Sequence, residues 1–128
     1  MFKRVVLIGH CGPDSSYLRM TISRVSREIS VSMVDDEIEL QKIIDEGADL
    51  LLVNRELDYG FKESEGVEII ARLHGAHPDL KMMLVSNFPE SQAEALAAGA
   101  MPGFGKRELG SERVANLIRE ALATESVQ

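Results

Sequence analysis

The stretch Asp49-Leu50-Leu51-Leu52-Val53-Asn54 decides the fold. Four consecutive apolar residues, with an aspartate before them and an amide after, are too few for a buried helix. They suit a strand covered on both faces. Outward from it, the same kind of short apolar run recurs. Arg4 to Gly9 stops at a glycine, Lys81 to Ser86 is a second buried strand, and Met101 to Gly105 is a weaker one with glycines at 103 and 105. Ser30 to Val34 alternates polar and apolar residues and reads as a more exposed strand.

Helical spacing fills the gaps. Leu18, Ile22, Val25 and Ile29 recur on one face after Gly12-Pro13-Asp14, with Asp14 placed to cap that helix. Glu37 to Glu46 turns Leu40, Ile43 and Ile44 inward and stops at Gly47. Val67 to His74 stops at Gly75. Pro89 opens a helix that runs through alanines to Gly99. Ser111 caps the last, striped by Val114, Leu117, Ile118, Ala121 and Leu122. Five strands alternating with five helices predict an α/β domain, a doubly wound parallel sheet with right-handed crossovers. The domain is expected over 1–123, with 124–128 a polar tail.

In such sheets sites form beyond the carboxyl ends of the strands. The residues there are Gly9, His10, Cys11, Asn54, Ser86, Asn87 and Lys106. A carboxylate at the end of the central strand could bind a metal or attack a phosphoryl donor. The amide of Asn54 is neutral, a weak ligand and a poor nucleophile.

The 128 residues suit one core, and 45% hydrophobic content can fill it. A net charge of −7 argues against nucleic acid and acidic membranes as partners. No apolar run reaches the roughly 18–20 residues of a membrane span. The first residues enter a strand at once and do not read as a signal peptide. With a single cysteine there is no internal disulfide. These features fit a soluble cytoplasmic domain.

The strand ends, in order, resemble the receiver domain of two-component response regulators, over nearly the whole chain. The matches are Asp49 to Asn54, then Val85-Ser86, then Ala98-Gly99-Ala100 with Lys106 six residues after Ala100. The resemblance implies a flavodoxin-like (βα)5 fold with strand order 2-1-3-4-5. It implies a pocket in which an acidic pair binds magnesium, an aspartate takes a phosphoryl group from a histidine kinase, and a hydroxyl and a lysine contact that group. By position the acidic pair falls on Gly9 and His10, the phosphoacceptor on Asn54, the hydroxyl on Ser86 and the lysine on Lys106. The hydroxyl and lysine are present and the three carboxylates are not. Without them no metal neutralises a transferring phosphoryl group and no acyl phosphate forms.

Three further positions depart from the pattern. The aromatic switch position falls on Gly103, with Phe104 on the opposite face of the strand. Arg107, not proline, follows Lys106, so a trans peptide is expected. The loop from Asn54 to Gly66 is long and carries Leu57, Tyr59 and Phe61 among charges. Those three could meet a partner or fold back over the pocket.

Other residues leave alternatives open. Lys106 and His10 could attract an anion, or Lys106 could bond loop carbonyls or Asn54. His10-Cys11 falls short of the about four ligands of a zinc set, and His74 and His77 should lie at the far end of the sheet. Gly9-x-x-Gly12 lacks the rest of a phosphate loop. No nucleophile, base and orienting group occur together. The expectation is a non-enzymatic module of bacterial two-component (phosphorelay) signalling, without cofactor or metal, that binds protein partners independently of phosphorylation. The alternative is a small-ligand or anion sensor using the vacated pocket. The fourth and fifth helices could form a homodimer face, although alanines there also serve helix propensity.

Overall fold

The computed structural model describes residues 3–57 and 60–123. The strands among them are β1 (Lys3–Ile8), β2 (Ile29–Val34), β3 (Leu50–Asn54), β4 (Met82–Val85) and β5 (Met101–Phe104). The helices that alternate with them are α1 (Gly12–Val25), α2 (Glu37–Glu46), α3 (Gly66–Ala76), α4 (Pro89–Ala98) and α5 (Glu112–Ala123). A 3-10 turn, Lys106–Glu108, joins β5 to α5. All neighbouring strands pair in parallel, in the order β2-β1-β3-β4-β5. Strand order reverses between β1 and β3, the position where a crevice opens.

The apolar runs are buried because the sheet feeds two cores, one on each face. Val6, Ile8, Leu51, Val53 and Leu84 face Leu40, Ile69, Ile70, Leu73 and Ala95 of α2, α3 and α4. Val5, Leu7, Leu50, Leu52 and Val85 face Leu18, Ile22, Val114 and Ile118 of α1 and α5. Leu50 to Val53 are completely buried, as a central strand requires. Truncating one of these leucines to alanine should cost about 2–5 kcal/mol.

Most boundaries move by a residue or two, but Ile29, which helical spacing placed on the first helix, is corrected. α1 ends at Val25 with Ser26 as its C-cap, and Ile29 opens β2. The helix expected to stop at Gly75 runs on to Ala76, and His77 N–H closes it on Leu73 O at 2.7 Å. Asp14 does not cap α1. Cys11 holds that position without a side-chain bond, and Asp14 lies in the first turn. Ser111 does cap α5, accepting from Val114 N–H at 3.3 Å. No helix among the described residues is long and apolar enough to cross a membrane. The expected tail, 124–128, lies outside the described residues.

Candidate functional site

The loops after β1, β3, β4 and β5 bring Gly9, His10, Asn54, Ser86 and Lys106 to one end of the sheet. Asn54 ends β3, and its Nδ2 donates to Gly9 O at 3.1 Å and to Glu56 O at 2.9 Å. Two carbonyl acceptors settle which way the amide faces, since only the NH2 end can donate. Both amide hydrogens are therefore spent on backbone, tying the β1 loop to the β3 loop. A carboxylate here would set oxygen against oxygen. Gly9 is committed too: its φ is +73°, and a Cβ would sit 2.5 Å from Leu57 Cδ2. A side chain there would need both a left-handed backbone and a moved leucine.

His10 is buried, 6% exposed. Its Nε2 lies 2.9 Å from Leu52 O and so carries the hydrogen, which leaves Nδ1 as an acceptor without a partner. Burial pushes the imidazole pKa down to about 4; the bond to Leu52 O opposes this, Lys106 deepens it and Asp14 opposes it. The ring is neutral at pH 7 and adds no positive charge to the pocket.

Lys106 does not bond Asn54 or the loop carbonyls. Its Nζ lies 2.6 Å from Asp14 Oδ2, with both side chains about a third exposed. That bond holds the Asp14 carboxyl below its ordinary range; partial burial opposes it and the Cys11 thiol reinforces it. Asp14, expected only as a helix cap, thus belongs to the pocket. It lies in the first turn of α1, within reach of Lys106. The Ser86 hydroxyl accepts from Phe88 N–H at 3.1 Å. The side-chain oxygen of Asn87 accepts from Arg107 N–H at 3.1 Å.

The long loop folds inward. Glu56 pairs with Glu65 as an antiparallel bridge, Leu57 N–H donates to Ser64 O at 2.9 Å, and Gly66 N–H donates to Arg55 O at 2.8 Å. Arg72 of α3 grips Glu63 with two bonds, at 2.5 and 3.0 Å, and reaches Glu37 of α2 at 2.8 Å. Leu57 and Phe61 are buried in the core shared with Val53 and Ile69. As partner-binding residues these two are corrected: the apolar gain of covering the β1 end outweighs leaving them in water. Tyr59 lies outside the described residues.

Two cavities flank Lys106. One, about 370 Å³, is lined by Gly9, His10, Asp14, Asp35, Asn54, Glu56 and Phe61. The other, about 130 Å³, is lined by Arg55, Ser86, Asn87 and Phe88; there Arg55 lies over the Phe88 ring, 4.6 Å from its centroid. The larger cavity is lined by three carboxylates and by a lysine already paired with one of them, a charge balance that disfavours anions. The residues do not fit magnesium either. Asp14 is bound to Lys106, the Asn54 NH2 is turned toward carbonyls, and no group of three metal-ligating side chains occurs among the described residues.

At the other side of the pocket, the pairing of β4 and β5 slips between Met83↔Met101 and Val85↔Phe104. Phe104 lies in the α1–α5 core, on the face away from the switch position as expected. Gly103 leaves room for Gln92 of α4, which donates to Leu84 O (3.0 Å), Ser86 O (3.1 Å) and Phe104 O (3.3 Å). Nothing in a run of alanines and polar residues singled out Gln92. Among the described residues every peptide is trans, Lys106–Arg107 included.

No protein-family model matches the chain. No curated protein matches it. Solved structures do. The signal receiver domain of a DNA-binding response regulator from Colwellia psychrerythraea superposes with TM-score 0.75 at 12% identity, covering 95% of this chain and 99% of that one. The receiver domain of the putative response regulator NarL from Mycobacterium tuberculosis gives 0.74 at 18%, covering 96% and 98%. NtrX from Brucella abortus gives 0.78 at 16%, covering 95% of this chain but 28% of that longer one. The chain therefore has the fold of a response-regulator receiver domain.

Proposed function

We propose that this domain is a receiver-like interaction module of bacterial two-component signalling whose state is not set by phosphorylation. The observation that carries the reading is the double donation of Asn54 to Gly9 O and Glu56 O. It uses the phosphoacceptor position as a structural tie. The Lys106–Asp14 pair supports it, because the lysine that would meet a phosphoryl group is already neutralised. No catalytic step is assigned to the domain. Its output would be a protein partner that binds one conformation in preference to another.

Intact-mass measurement after incubation with a small-molecule phosphoryl donor tests this. The reading expects no phosphoryl increment. An adduct mapped to the pocket would overturn it.

A further inference from the structure

β2 ends the sheet and pairs only with β1. Two backbone bonds fix which way its peptide groups point: Lys3 N–H donates to Glu28 O at 2.9 Å, and Gly9 N–H donates to Val34 O at 3.1 Å. Carbonyls of the even-numbered residues thus face β1. Because successive residues alternate sides, the N–H and C=O groups of Ile29, Val31 and Met33 face outward. Among the described residues nothing bonds that outer row.

The two edges of the sheet differ. β5 carries Pro102, which has no N–H, and a register shift beside Gly103; both are devices that blunt an edge. The edge formed by Ile29-Ser30-Val31-Ser32-Met33-Val34 has no proline and no charge. Its Ile29 and Val31 side chains are half-buried under the α1–α5 layer, and Met33 is 40% exposed. Charge flanks it unevenly: Arg24, Arg27 and the adjoining Glu28 precede it with a net +1, while Asp35 and Asp36 follow. In an antiparallel register centred on Val31, Glu28 meets Val34 and only Arg27 meets an acid.

From this we infer that the chain self-associates edge to edge through β2, antiparallel, about a two-fold axis at Val31. That register sets Val31 against Val31, Ile29 against Met33 and Arg27 against Asp35 of the second copy. It joins the two outward rows through about six N–H···O bonds. A one-residue slip would offer groups already bonded to β1, and a two-residue slip would misplace the charges. The symmetry is isologous, so the assembly closes as a dimer and does not grow. This surface is distinct from a face on α4 and α5.

Light scattering on the intact chain, over a range of concentrations, tests it. The expected mass rises toward twice the 14.1 kDa of one chain, and the amides of Ile29, Val31 and Met33 become protected from exchange as it does. Met33→Lys, at an exposed position, weakens association by about tenfold or more, the equivalent of 1.4 kcal/mol. Arg27→Glu weakens it, and adding Asp35→Arg restores it. A chain that stays monomeric at every concentration overturns the inference. So does a dimer that Met33→Lys leaves intact, or one that Leu96→Glu on α4 dissociates instead.

Discussion

Lys106 Nζ lies 2.6 Å from Asp14 Oδ2, joining the turn after β5 to the first turn of α1. The carboxyl of Asp14 is depressed by that bond, so its contribution is present above the ordinary carboxylate pKa and is lost as pH falls through the lower folded value. Both groups are about a third exposed, and solvent screening limits the pair to about 1 kcal/mol or less. Lys106→Ala should cost no more than that. It should return Asp14 toward its usual titration and raise the pKa of His10, since Lys106 lowers both. Carboxyl and imidazole NMR titrations read both shifts.

His10 gives the domain an acid-sensitive core. Its pKa is about 4 when folded and about 6.5 when unfolded. Above pH 6.5 both states are neutral and the ring adds no pH dependence. As pH falls from 6.5 toward 4 the unfolded state takes up the proton first, so stability falls, by about 3 kcal/mol in all. His10→Gln should flatten that part of the profile. Urea midpoints measured at several pH values between 7 and 4 would show the slope and its loss.

Restoring an acid to the central strand should fail. Asn54→Asp removes two donated bonds and turns a carboxylate toward Gly9 O and Glu56 O. The expected cost is about 1–3 kcal/mol, with the new carboxyl titrating above the usual range. Chemical denaturation and carboxyl NMR measure the two effects.

Gly9 should resist substitution for a separate reason. Gly9→Ala meets both the +73° φ and Leu57 Cδ2 at 2.5 Å, and the backbone alone costs about 1–2 kcal/mol. Leu57→Ala in the same chain should recover the steric part only. A double-mutant cycle in thermal unfolding separates the two contributions.

The long loop depends on Arg72. Its bonds to Glu63 and Glu37 are half-buried, and the Glu63 carboxyl is held below its usual range by Arg72. Arg72→Ala should cost about 1–3 kcal/mol and raise amide exchange in residues 55–57 and 60–65 more than in β3. Hydrogen exchange compares the two regions directly.

Much of the fold was legible because a strand buried on both faces leaves a continuous apolar run, as Leu50 to Val53 does. The candidate positions at the strand ends followed from that topology. What they do was less legible. Asp14 reaches Lys106 across the sheet, and neither residue's neighbours in sequence announce the other. Leu57 and Phe61 look exposed among charges until Gly9 is known to leave a hollow for the leucine. Gln92 matters only because Gly103 and the slipped register leave three carbonyls within reach. Each is a tertiary pairing with no local pattern to reveal it.

An amide NMR titration with magnesium and then beryllofluoride, a phosphoryl mimic, tests the central claim most directly. The account predicts no saturable shifts at Gly9, Asn54, Ser86 and Lys106, with the Asn54 side-chain amide unmoved. Saturable shifts there, with the Lys106–Asp14 pair opening to admit the mimic, would contradict it.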